Sequence, residues 1–272
     1  MKTRRQAGWW QKATGVMKTE FKVALVYKLH FFVSLFSVPI NVLIYYFLWQ
    51  AIFTHSGAEV IRGYTFGEMV TYYVISMIVG FMTYSEVDEW IEYDVVHGHM
   101  VNALMKPLSY FNWNLYATIA INGFGILVEI IPVFIVGLLI GLQAPALTHL
   151  ALFLVSVMIA AALYHLFAYL TGLAAFWLKR IRGLRRSRRI IIAFLSGSLL
   201  PLTFFPAPLQ GVFEYLPFTF MRFTPVQLYM GKMGVSEAVL SLSVGLAWVL
   251  LLYLASRQLW ERAFKKFSGA GT

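Results

Sequence analysis

The chain has 272 residues and no cysteine; 60% of its residues are hydrophobic and 12% are charged. Soluble domains carry about 25% charged residues, so this composition excludes an ordinary soluble protein and indicates an integral membrane protein, and the lack of cysteine excludes disulfides and cysteine metal sites. The net charge of +10 does not indicate nucleic acid, because the basic residues cluster beside apolar segments, where they set orientation and contact anionic membrane lipid.

The first 30 residues form a basic, amphipathic segment. Its apolar side chains recur with the spacing of one helical face, at Met17, Phe21, Ala24 and Leu25, and lysines flank that face. We predict a helix within residues 1–30 that lies on the cytoplasmic surface of the membrane. The alternative is a basic terminus without a fixed structure.

Six apolar segments follow, which predicts an all-α membrane protein with one membrane domain over residues 31–260 and a cytoplasmic tail at 261–272. A membrane-spanning helix needs about 20 residues, and the chain length suits about six such helices with short loops. The predicted spans are residues 31–53, 68–84, 113–141, 150–178, 190–205 and 238–255. The fifth is short and contains Ser196, Gly197, Ser198 and Pro201.

Basic residues predict the orientation of these spans. With the N-terminus inside, 19 of the 22 lysines and arginines fall on the inner side, and Arg62, Arg222 and Lys232 fall outside. Such an excess indicates that both termini are cytoplasmic. We also expect a multi-pass protein of the inner (plasma) membrane.

Residues 206–235 are too apolar for a plain loop, yet four prolines interrupt them: Pro206, Pro208, Pro217 and Pro225. Broken helices at membrane depth are tolerated where protein or a water-filled cavity satisfies the backbone. We predict re-entrant half-helices that dip back from the outer face. The alternative is a wide extracellular loop.

A short amphipathic helix is predicted within residues 94–110, between the second and third spans. Its apolar stripe consists of Met100, Val101, Leu104, Met105 and Leu108. Gly98 can end the incoming helix, and Pro107 can end the short one. The segment is either a connector lying at the membrane edge or a docking helix for another protein.

Polar side chains inside the predicted spans are candidates for a transport pathway. Glu129 lies near the centre of the third span with Asn122 on the same segment, and His165 lies in the fourth. Intramembrane ionisable residues face protein or water and often mark such pathways. The alternative is packing, with Glu129 paired to His165. No further acidic or histidine side chain is expected at that depth, so we predict no catalytic and no metal site.

With these features the chain resembles the membrane subunit (permease) of ABC-2-type transporters. Three features carry the resemblance: the pattern of Gly98, Leu104, Pro107, Leu108 and Ser109 after the second span, the segment 216–229 with its prolines and aromatics, and the order of an amphipathic start and six spans. Val96 and His99 stand where the family pattern has glutamate and threonine. The chain therefore looks closer to a poorly characterised bacterial branch, in which two different permeases often occur beside one ATPase.

The resemblance implies an exporter whose ATP and Mg²⁺ are bound by a separate ATPase dimer, while this chain needs no cofactor and is not an enzyme. The sequence contains no G-x-x-x-x-G-K-[ST] pattern. The ATPase-coupling helix would comprise Gly98, Met100, Val101, Leu104, Met105 and Pro107, and two permease chains, identical or different, would form the pathway. The alternatives are a membrane-embedded lipid-modifying enzyme and an accessory membrane subunit that transports nothing.

Opposite charges cluster on the predicted inner side of the membrane. The acidic run consists of Glu86, Asp88, Glu89, Glu92 and Asp94, and residues 179–189 contain seven cations. We predict that the acidic run contacts either this basic segment or basic residues of the ATPase, although a solvated face is common for such runs.

Overall fold

The structure is a computed structural model that describes residues 9–24 and 28–269. Its regular structure is almost entirely helical, as predicted. Two short strands, β1 (Val60–Ile61) and β2 (Tyr64–Thr65), pair in an antiparallel hairpin. Of the apolar face predicted at the N-terminus, Leu25 lies outside the described residues.

In the first half of the chain, the described residues form helices α1 to α7. A π-helical stretch, Ile126–Ile130, joins α6 to α7, so helical structure continues from one into the other. The α-helices are α1 (Trp9–Ala24), α2 (Lys28–Ser56), α3 (Phe66–Thr83), α4 (Val87–Val96), α5 (Met100–Leu104), α6 (Tyr110–Gly125) and α7 (Ile131–Leu139).

The second half of the described chain adds six α-helices. These are α8 (Leu147–Leu173), α9 (Ala175–Leu178), α10 (Arg182–Leu195), α11 (Ala207–Phe213), α12 (Phe223–Tyr229) and α13 (Val235–Gly269). With 35 residues, α13 is about 52 Å long. It continues through most of the segment predicted as a separate tail, where Ala263 is fully buried.

Three helical segments of the described chain are long and apolar enough to cross a membrane: Phe66–Val96, Leu147–Leu178 and Val235–Phe267. They coincide with the second, fourth and sixth predicted spans. The first and third predicted spans fall on α2 and on α6 with α7, and the count of six remains a prediction.

The predicted bounds of the fifth span, residues 190–205, were wrong. Helix α10 begins at Arg182, inside the basic segment, and ends at Leu195. Gly197 follows with a φ of +82°, which favours glycine and stops the helix. The chain then runs to the hairpin, where the Phe204 ring stacks on Tyr64. We call this side of the bundle the Tyr64 end and the opposite side, where α4 gives way to α5, the Gly98 end.

The proline-rich segment forms two short helices, α11 and α12, that enter and leave at the Tyr64 end. The turn between them reaches into the bundle, where the Phe218 ring lies against Phe167 of α8. On the way back, the Gln227 side chain donates a hydrogen bond to the Tyr64 hydroxyl at 2.6 Å. This path agrees with a pair of half-helices, and their position relative to a membrane remains a prediction.

Arg222, counted above with the outer loops, lies inside the bundle instead. Its guanidinium donates to the Ser76 carbonyl of α3 and, at 3.2 Å, to the Tyr164 hydroxyl of α8. Gly80 leaves room for it, since a Cβ there would lie 2.6 Å from Arg222 Nη1. Arg222 therefore ties the turn between α11 and α12 to two long helices.

Helix α4 approaches α8 closely at Gly172. A Cβ at this position would lie 2.7 Å from Ile91 Cδ1 and 2.9 Å from the Asp88 Cα. Real Cβ atoms do not come so close to backbone atoms, so the contact requires glycine. Gly172 therefore sets the distance between α4 and α8.

Helix α4 is also joined to α10, by ion pairs between the acidic and basic runs. Arg185 pairs with Glu92 and, at 2.5 Å, with Glu89, while Arg188 donates to Asp88 at 2.8 Å. Asp88 is fully buried. Burial lowers the pKa of the Arg188 guanidinium, and the Asp88 charge offsets only part of this decrease. The prediction that the acidic run contacts the basic segment is confirmed.

We expect Gly172→Ala to destabilise the protein by about 1–3 kcal/mol, because the added methyl group must separate α4 from α8. The measurement is the thermal unfolding of the full-length chain in mild detergent. Gly183→Ala is the matched control, since nothing lies within 4 Å of a Cβ at Gly183 in α10. Equal melting temperatures for the two variants would contradict the close approach.

We expect Asp88→Ala to cost about 3–5 kcal/mol, because it leaves the buried Arg188 without its carboxylate. Glu89→Ala should cost about 1 kcal/mol or less, because the Glu89 side chain is 54% exposed to solvent. Thermal unfolding of the full-length chain in mild detergent measures the loss of stability in both variants. Similar losses for both variants would show that burial does not distinguish the two pairs.

Candidate functional site

The short helix α5 is set apart from α4 by a glycine turn at the Gly98 end. Helix α4 ends at Val96, and the His97 N–H bonds back to the Tyr93 carbonyl at 3.0 Å. Gly98 then adopts a φ of +74°, which ends helices and favours glycine. The predicted helix break at Gly98 is confirmed, and α5 ends at Leu104, before Pro107.

The predicted apolar stripe of α5 is divided between two surfaces. Met100 is fully buried, whereas the side chains of Val101 and Met105 are 54% and 75% exposed. Leu104 is half-buried against the core. Sequence reasoning missed Ala103, which is 3% exposed and lies three residues after Met100 on the buried side. This i, i+3 spacing was the available signal.

The buried side of α5 rests on a core that gathers four other helices. Met100 belongs to one apolar cluster with Ile91 of α4, Tyr169 of α8, Phe176 of α9 and Ala263 of α13. Close-packed interiors transmit displacement, because their side chains have little free volume. The position of α5 is therefore linked to α4, α8, α9 and α13.

Helix α1 and the loop after α5 complete this end. Ala13 and Val16 of α1 are buried against Tyr116 and Ala117 of α6. In the same region, the Lys106 ammonium lies 3.8 Å from the centre of the Trp113 ring. The sequence predicted a helix in the region of α1 but did not indicate that this helix would pack against α6.

The loop itself is held by two polar contacts. The Lys12 ammonium of α1 is 3.5 Å from the Pro107 carbonyl oxygen. The Tyr110 hydroxyl donates to the Asp94 carboxylate at 2.7 Å, which joins the start of α6 to α4. Helices α1, α4 and α6 thus fix the residues on both sides of α5.

The three polar residues predicted inside spans do not form one site. Asn122 donates to the Met82 carbonyl at 3.0 Å, near the C-terminus of α3, where carbonyls lack partners within the helix. His165 is buried and its Nδ1 lies 3.4 Å from the Thr118 hydroxyl. Because Thr118 precedes Glu129 by about 16 Å along the helix, the structure does not support a pair of Glu129 with His165.

Glu129 lies in the π-helical stretch Ile126–Ile130 and is partly exposed. A Cβ at Gly125 would be 3.5 Å from Glu129 Oε2, so the carboxylate folds back over this glycine. Single-turn π-helices are frequent at functional sites. In the described part of the chain, no group of three or more acidic or histidine side chains converges as a metal site.

Comparison with known proteins assigns the family. A sequence model described as ABC-2 family transporter protein matches residues 39–271, which is most of the chain. No characterised protein and no solved structure gives a match. The matched region includes the Gly98–Ser109 pattern and the segment 216–229, two of the three features that carried the resemblance noted from the sequence. The chain belongs to the ABC-2 transporter family, whose members are generally membrane transport subunits that work with an ATPase subunit.

Proposed function

We propose that this chain is the membrane-spanning subunit of an ATP-driven exporter and that α5 is its contact with a separate ATPase dimer. The observation that carries the proposal is the division of α5 into two apolar surfaces. Met100 anchors the helix in the core, and Val101 and Met105 stay exposed on the opposite side. Exposed apolar groups beside a rigid anchor suit a protein contact.

Movement of the ATPase would reach the membrane helices by two routes. Helix α5 is joined to α4 through Gly98, and α4 follows α3 after a short break at residues 84–86. The ion pairs of Arg185 and Arg188 connect α4 to α10. A force on α5 therefore displaces α3, α4 and α10 together.

The pathway itself would form between two permease chains, identical or different. Glu129 is the intramembrane carboxylate best suited to line it, since it is partly exposed and lies in a π-helical stretch. Asn122 and His165, by contrast, hold neighbouring helices together. By family analogy the direction is export, with both termini cytoplasmic.

Anionic membrane lipid is the second proposed partner. Arg185 and Arg188 are occupied by α4, whereas Arg182, Arg186 and Arg189 are exposed on one face of α10. Further along α10, the exposed side chains become apolar, at Ile190, Ile191 and Phe194. This change from cations to apolar groups is typical of a helix that passes from headgroups into hydrocarbon.

We expect Met105→Asp to weaken binding of the ATPase by about tenfold or more, because it places a charge in the apolar contact. Co-purification of the ATPase with the tagged chain measures this. Val60→Asp is the matched control, because Val60 is 55% exposed at the Tyr64 end. Equal recovery of the ATPase with both variants would rule out α5 as the contact.

We expect Glu129→Gln to reduce ATP turnover of the purified complex severalfold without lowering its melting temperature. Asn122→Ala should do the reverse and cost about 1 kcal/mol, because it removes the hydrogen bond to the Met82 carbonyl. ATP hydrolysis and thermal unfolding are measured on both variants. A Glu129 variant that unfolds early but turns over normally would assign Glu129 to packing.

A further inference from the structure

A cavity of about 420 Å³ lies at the Gly98 end between α6, α8 and α13. It is separate from the exposed face of α5 and from the α4–α10 ion pairs. Its walls combine aromatic rings, two hydroxyl or amide side chains at the start of α6, and one pair of opposite charges on α13. The residues that matter below are Ser109, Asn112, Tyr253, Arg257, Trp260 and Glu261.

The cavity lies where two helices change from charged to uncharged sequence. Helix α13 has no charged side chain between Glu237 and Arg257, and the chain has none between Lys106 and Glu129. Tyr253 and Trp260 flank Arg257 on α13. Tryptophan and tyrosine beside the first cation of an apolar helix are typical of the headgroup level of a membrane. The cavity therefore opens at the depth of lipid headgroups.

Arg257 and Glu261 are four residues apart on α13, a spacing at which opposite charges usually meet. Both line the cavity and both are exposed, yet within the described chain they form no ion pair with each other. The cavity thus presents one positive and one negative group side by side, together with the polar side chains of Ser109 and Asn112.

We propose that this cavity binds the headgroup of a zwitterionic phospholipid that carries a primary ammonium. Arg257 binds the phosphate, and Glu261 binds the ammonium, which a two-carbon link holds close to the phosphate. Ser109 and Asn112 add hydrogen-bond donors for the phosphate oxygens. The acyl chains follow the exposed apolar surface of α13 at Leu250 and Leu254. The site is independent of the ATPase contact.

The test measures how lipids stabilise the full-length chain in mild detergent. Dioleoyl phosphatidylethanolamine and dioleoyl phosphatidylglycerol are titrated separately, and the melting temperature is followed. We expect the ethanolamine lipid to stabilise the native chain at lower mole fractions, because the glycerol lipid has no ammonium for Glu261. Because the anionic glycerol lipid is also expected at the cations of α10, the reference is Glu261→Gln: an equal preference for the ethanolamine lipid in the native chain and in this variant would overturn the proposal.

Three variants separate the two charges of the site. Arg257→Gln should weaken binding of the ethanolamine lipid by about tenfold, since a charged hydrogen bond is lost. Glu261→Gln should remove the preference for the ethanolamine lipid over the glycerol lipid. Arg262→Gln is the matched control, because Arg262 is exposed on α13 but does not line the cavity. If Arg262→Gln weakens binding of the ethanolamine lipid as much as Arg257→Gln does, the lipid responds only to general surface charge and the proposal fails.

Soluble phosphoethanolamine distinguishes a membrane lipid from a free phosphoester as the occupant. We expect no competition with the lipid at millimolar concentration, because the acyl chains contribute to binding. Competition at that concentration would overturn the assignment of a lipid. None of these readouts uses the ATPase, so their failure leaves the exporter proposal untouched and loss of ATPase binding leaves the lipid site untouched.

Discussion

The buried carboxylate of Asp88 is the constraint on which the Gly98 end depends. A charge removed from water is costly unless a partner of opposite sign is held close to it. Arg188 meets this requirement, and Arg185 extends the contact to Glu89 and Glu92. The consequence is geometric: α10 must lie along α4, and α4 must stay against α8 at Gly172. The anchored position of α5 follows from these contacts.

Local features of the chain were predictable, because short stretches of sequence determine them. The turn at Gly98, the short α5 and the pair of helices broken by prolines all follow from glycine, proline and apolar spacing. The bounds of α10 were not predictable in this way, since the arginines near its start pair with acidic side chains of α4, which lie far away in the sequence. Because these arginines are charged, the sequence placed them in a loop before the predicted fifth span.

The orientation of individual side chains could not be read from the sequence. Val101 and Met105 belong to the same apolar stripe as Met100, and only the core beneath α5 decides which of them is buried. In the same way, Asn122, His165 and Arg222 are each polar groups in apolar surroundings. Their roles depend on which carbonyl or hydroxyl a neighbouring helix brings within reach, and spacing along one helix contains no such information.

The unbroken length of α13 has a mechanical consequence. Hydrocarbon in a bilayer is about 30 Å thick, so a helix of about 52 Å extends roughly 20 Å beyond it. Ala263 and Phe267, near its far end, pack in the same cluster as Met100 of α5. The helix therefore acts as a stiff lever: a tilt of about 5° about one end moves the other by about 4.5 Å. Small rotations at the Gly98 end become displacements at the Tyr64 end without any hinge between them.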